Sequence, residues 1–191
     1  MDAPQTDSLA AAGAELALPY LEGTEEFAAF AARARDGIAR ARVSPPILPL
    51  VVAALWRSRE GATPRGLAIV VEDDDAARSL IDEASTFLPG APVAYLPSRG
   101  ALYGSGIDPA PHLVGERHRA LDALAAGGLV AVSADALLER VPGPATRPRP
   151  VTLELGSDPG LEAVVEQLAA AGYTRVDTVE EIGRASCRER V

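Results

Sequence analysis

There is no lysine among the 191 residues; all eighteen basic side chains are arginine. That excludes a P-loop lysine, a Schiff-base lysine and a Ser-Lys dyad on this polypeptide. Cysteine is nearly as scarce. Cys187 stands alone, so no intrachain disulfide and no Cys-x-x-Cys metal knuckle can form, and the usage fits a reducing cytoplasm. Positive charge is short as well. Twenty-seven acidic residues against 18 basic ones leave a formal charge of −9. A chain-wide phosphate-binding surface needs the opposite sign, so weak, non-specific DNA binding at most is expected. No apolar run approaches the roughly 18 residues of a membrane span. Met1-Asp2-Ala3-Pro4 opens the chain without the basic region of a secretory leader. The expectation is a cytoplasmic chain with no membrane partner.

What is present suits a globular α/β protein. Hydrophobic residues make up 48%, and although 37 residues are alanine, enough larger apolar side chains remain for a core. Residues 1–42 read as an Ala-rich lead-in with a helix. Thr24 caps it, Glu25 and Glu26 sit in its first turn, and Phe27, Phe30, Ala31 and Ala34 share one face before Gly37. A second helix is predicted over about 48–58, confined at its start by Pro45, Pro46 and Pro49. Strands then alternate with helices. Leu67–Val71 reads as a buried parallel strand, and Asp73, Asp74 and Asp75 are placed to cap a helix with Ala77, Leu80, Ile81, Ala84, Phe87 and Leu88 along one stripe. Val93–Leu96 is a second strand, 97–111 a long loop, about 115–126 a helix, Leu129–Val132 a third strand and 134–140 a short helix. Four prolines within 141–150 mark a linker. Beyond it a strand is predicted over Val151–Leu155. A helix follows, capped by Ser157 or Asp158 and burying Leu161, Val164, Val165 and Leu168, and then a strand over Arg175–Val179.

Few residues suggest chemistry. His112 and His118 lie six apart, wrong for one helical face and for a metal site, and read as solvated or loop residues. Gly104-Ser105-Gly106 is a loop tip rather than a nucleophile elbow. The Asp73–Asp75 run reads as a hydrated helix cap rather than a cation site. Glu116, Arg117, His118 and Arg119 form a polar cluster, read as a solvated face with i,i+3 pairing or, as the alternative, a partner or nucleic-acid contact. In a P-loop fold the first helix follows a glycine-rich phosphate loop. Here residues 43–50 read Val-Ser-Pro-Pro-Ile-Leu-Pro-Leu, with no glycine and three prolines lacking amide donors.

Several stretches together resemble a family. Leu96-Pro97-Ser98-Arg99-Gly100-Ala101-Leu102-Tyr103 and the run Ile107–Leu121 are similar to the N-terminal module of the bacterial transcription-repair coupling factor, Mfd. So are Ser133, Ala136, Leu137, Leu138, Arg140 and Val141, and further on Ala171-Gly172-Tyr173, Val176-Asp177, Val179 and Gly183. The resemblance covers about 43–183. It implies an α/β fold: a three-layer, P-loop-like, UvrB-like domain over 43–141 with parallel strands and a degenerate nucleotide site. A Pro-rich linker at 142–150 and the start of a second α/β, UvrA-recruiting domain at 151–183 would follow.

The whole family protein is an ATP-driven DNA translocase that displaces stalled RNA polymerase and recruits UvrA, with ATP and Mg held in a motor outside this chain. For this chain the resemblance implies a non-catalytic interaction module with no cofactor of its own. Arg99, Arg117 and Arg119 are the candidate interaction residues. Residues 184–191 depart from the family pattern and read as a non-native tail. Two other readings stay open: a generic P-loop-like α/β interaction domain, and a stand-alone UvrB- or helicase-type ATPase, against which the missing lysine argues.

Overall fold

The computed structural model describes residues 16–59, 66–102, 104–147, 151–171 and 173. They fall into two compact units, Met1–Arg140 and Val141–Val191.

The first unit begins with α1 over 16–22 and α2, Glu25–Asp36. The Thr24 hydroxyl accepts from the Phe27 amide, and Glu25 and Glu26 occupy the first turn, where the helix dipole favours negative charge. A short 3-10 turn at Pro45–Ile47 leads into α3, Leu48–Arg57. Proline is tolerated there because the first turn of a helix has no intrahelical use for its amide. Three strands follow, β1 (Leu67–Val71), β2 (Val93–Leu96) and β3 (Leu129–Ser133). They alternate with α4 (Asp74–Ser85) and α5 (Pro111–Ala125), and α6 (Ala134–Leu138) leaves β3 directly.

All pairing is parallel and the spatial order is β1-β3-β2. Leu67 and Val93 both lie opposite Leu129, and Val71 lies opposite Ser133. The path runs from one edge to the other and then back to the centre. With right-handed crossovers, that reversal puts α4 and α5 on opposite faces. The packing agrees. Leu129 and Ala131 join Val52, Ala53, Ala77, Leu80, Ile81 and Ala84 in one core. Val130 and Val132 join Ala94, Leu96, Ala120, Ala123 and Ala136 in another. The first unit is therefore a three-layer α/β sandwich, with β3 buried on both faces.

Several expectations need correction. Leu67–Val71 is an edge strand and only half-buried; Val70 is 53% exposed, because the second helical layer lies over β2 and β3. The helix expected from about residue 115 starts at Pro111, and its opening turn is closed by the Leu113 and Val114 amides on Ala110 O. The fixed φ of proline suits that first position, where sequence periodicity gives no signal. His112 is consequently helical rather than in the loop. The short helix at 134–140 ends at Leu138.

In the second unit, Val151–Leu155 forms no strand. Leu153 is exposed, Leu155 is fully so, and the chain turns at Leu155-Gly156 with φ +87° at the glycine. Alternating apolar residues make a strand only when a neighbour supplies the ladder, and no other strand is found among the described residues of this unit. Helix α7, Leu161–Ala170, is capped by Gly160 rather than Ser157 or Asp158. The Asp158 carboxylate instead accepts from the Gly160 amide at 3.3 Å, closing the turn ahead of the helix. No residue of α7 is buried; Leu161 is exposed, and Val164, Val165 and Leu168 are half-buried. The expected strand over Arg175–Val179, Gly172 and the tail 184–191 lie outside the described residues.

A ten-residue helix without a buried face has little beyond its own weak propensity to hold it. Amides of Leu161–Ala170 should therefore exchange with solvent roughly a hundredfold or more faster than those of β3. Equal protection in a hydrogen-exchange experiment would contradict this. No helix among the described residues is long and apolar enough to cross a membrane.

Candidate functional site

In open α/β sheets the functional crevice lies beyond the carboxyl ends of the strands, where adjacent strands lead to helices on opposite faces. Here that point lies between β1, which leads to α4, and β3, which leads to α6. Asp73 caps α4 by accepting from the Ala76 amide at 2.8 Å. Asp74, the next residue, turns into the crevice. Its carboxylate accepts from the Ser98 amide at 2.9 and 3.0 Å and from the Ser98 hydroxyl at 2.7 Å, and it also engages the Ser133 hydroxyl.

A second knot adjoins the first. From α5, Arg117 Nη1 donates to Pro97 O and to Glu139 Oε2, each at 2.6 Å. Glu139 also accepts from the Arg99 amide at 3.0 and 3.1 Å. The segments that follow β1, β2 and β3 are thus tied together by their own side chains.

Burial is the largest influence on the Asp74 carboxyl and pushes its pKa up. Hydrogen bonds from the Ser133 and Ser98 hydroxyls and the Ser98 amide, with the positive charge of Arg117, outweigh it and hold the group below the ordinary aspartate value. Such a carboxylate is a poor general base. A depressed folded-state pKa adds stability that is complete above the unfolded-state value and lost as pH falls through the folded one. Stability should therefore decline from roughly pH 4 downward. Asp74→Asn should flatten that decline and cost about 1 kcal/mol at neutral pH. Urea melts across the acid range check both; an unchanged acid slope in the variant would show that Asp74 is not responsible.

The candidate interaction residues do not share one surface. Arg99 and Arg117 converge on Glu139, but Arg117 is buried and spent on internal bonds rather than lying on a solvated face. Arg119 is exposed on α5, where it pairs with Glu116 at 2.8 Å. Of the histidines, His112 is exposed, and His118 Nδ1 lies 2.8 Å from Val114 O with Nε2 buried and unpartnered. Gly104 and Gly106 have φ of +81° and +73°, and the Ser105 hydroxyl between them accepts from the Ile107 amide at 3.3 Å. Among the described residues no three His, Cys, Asp or Glu are grouped as metal ligands.

Sequence reasoning missed Ser98, Ser133 and Glu139. The two serines carried a usable signal, since each stands at or just past the polar end of an apolar strand. Glu139 carried none; it sits beyond α6 and acquires its role only through Arg117 on a different helix.

These features define an α/β protein whose strand-end crevice is filled by its own hydrogen-bonded side chains. None of the family models, curated proteins or solved structures compared with the chain matches it.

Proposed function

We propose that this chain is the N-terminal, non-catalytic interaction module of a bacterial transcription-repair coupling factor. In this reading 43–141 is a UvrB-like domain of P-loop ancestry with a degenerate nucleotide site, and 151–183 begins the UvrA-recruiting domain. The whole protein would act in the cytoplasm, displacing stalled RNA polymerase with an ATP- and Mg-dependent motor lying outside this chain. DNA contact here would be weak at most.

The observation that carries the reading is the self-tied crevice at the strand ends. A nucleotide-binding α/β domain keeps that space open and lines it with convergent amides. Here Asp74 and Glu139 occupy the available amides of Ser98 and Arg99. Between β1 and α4 stand only Glu72 and Asp73, both acidic, which repel phosphate. Before α3 and in its first turn the prolines 45, 46 and 49 offer no donors, and residues 38–44 hold no strand.

Calorimetric titration with Mg-ATP is expected to show no saturable heat, and micromolar binding would overturn the non-catalytic assignment. A pull-down of purified UvrA by the chain extended through the family's next strands tests the partner. Capture is expected, and its failure would leave the coupling-factor assignment without support.

A further inference from the structure

Beside the Arg117–Glu139 knot lies a cavity of about 310 Å³ lined by Arg99, Ala101, Leu138, Glu139 and Arg140. We propose that this cavity is a docking site for an acidic, leucine-rich peptide segment of a protein partner, with one carboxylate received between Arg99 and Arg140. Such docking is independent of the coupling-factor assignment.

Charge complementarity carries it. In a chain of formal charge −9, two arginines line one small cavity. Among the described residues neither guanidinium makes a hydrogen bond or ion pair. The one acid in the lining is already neutralised. Glu139 accepts from Arg117 Nη1 at 2.6 Å and from the Arg99 amide at 3.0 and 3.1 Å. Arg117 itself has a side chain only 9% exposed, and its Nη2 has no partner, so Glu139 is held by internal bonds and the two lining arginines are the charges open to a ligand.

The peptide backbone contributes little. The Arg99 amide is committed to Glu139, and the adjoining helix end is the C-terminus of α6. Charge is therefore presented by planar guanidinium forks on side chains, which match a carboxylate bidentately, and not by the convergent amides that phosphate sites add.

Apolar surface completes the fit. Leu138 is 85% exposed, and its neighbour Leu137 is also exposed. A free oxyanion would leave them bare, whereas leucines flanking the inserted acid would cover them. The arrangement of a charged anchor inside an apolar rim is that of a small protein interface.

The test is fluorescence polarisation of the full 191-residue chain with a short labelled peptide of alternating glutamate and leucine. Its glutamine counterpart, inorganic phosphate and Mg-ATP serve as competitors. The glutamate peptide is expected to bind saturably, and the glutamine peptide about tenfold or more weaker. Arg99→Gln with Arg140→Gln should cause a loss of the same order, and Leu138→Ser a smaller one. An unchanged melting curve of the double variant shows that any lost binding is local. Equal binding of the two peptides overturns the proposal, as does binding indifferent to the arginines. So does saturable phosphate or Mg-ATP binding that the arginine variants abolish while the glutamate peptide does not bind, which would make the cavity a simple oxyanion site.

Discussion

Glu139→Ala is expected to destabilise the first unit by about 3 kcal/mol, although Glu139 is only one partly buried carboxylate at the end of a five-residue helix. The size of the effect comes from what stays behind. Arg117 points inward from α5 and is buried against the segment after β2, and Glu139 is the carboxylate that pairs with it, at 2.6 Å. Removing Glu139 leaves a charged guanidinium out of water with Pro97 O as its remaining hydrogen-bond acceptor and only the neighbouring charge of Asp74 against it, and it also strips the Arg99 amide of its acceptor. Unpaired buried charge is far more costly than the pair itself is favourable. The double variant Glu139→Ala with Arg117→Met should therefore recover much of the loss, since the methionine carries no charge to strand. Trp56 is the single tryptophan, and its indole donates to Gly127 O at 3.0 Å, so its fluorescence follows unfolding of this unit in urea. A loss under about 1 kcal/mol, or a double variant no better than the single, would mean that the pair is not a stabilising lock.

Gly128→Ala is the second large effect, expected to cost about 3 kcal/mol or more and to reduce the yield of folded protein. A Cβ at Gly128 would run into Pro92 O and lie 2.7 Å from Ala123 O. Both obstacles are backbone. The residue cannot retreat either: its amide donates to Ala123 O at 2.8 Å, its carbonyl accepts from the Leu67 amide at 2.9 Å, and the Leu129 amide donates to Pro92 O at 3.0 Å. Gly128 thus stands where the three strands are brought into register, and relief of the clash would loosen all of them. Gly115 is the matched control. It sits inside α5, where an added methyl group would meet nothing within 4 Å, so Gly115→Ala should stabilise the protein by up to about 1 kcal/mol. Equal melting temperatures for the two variants would refute the steric argument.

Much of the local structure was legible from residue order. Thr24 and Asp73 cap their helices as their side chains suggest, because a cap is decided within four residues. The strands at 67–71, 93–96 and 129–133 announced themselves as short apolar runs between turn residues. The failures over strands have one physical cause. Val151–Leu155 has a strand's alternation without a strand's partner, and a ladder is a property of two segments. Leu67–Val71 has the composition of a central strand but stands at the edge. The candidate site shows the same division: Arg117 looked like part of a solvated face, yet its position on α5 turns it inward to Glu139, 22 residues along the chain.

By itself, then, the order of residues determined the caps of α2 and α4, the three apolar strands and the lack of any lysine-based chemistry, all of which depend on residue type and near neighbours. Only the tertiary structure decided that β3 lies between the other two strands, that the crevice beyond them is closed by Asp74, Ser98, Arg117 and Glu139, and that Arg99 and Arg140 face one cavity. Those outcomes depend on which segments become neighbours when the crossovers reverse direction across the sheet, and no local pattern of side chains encodes that reversal.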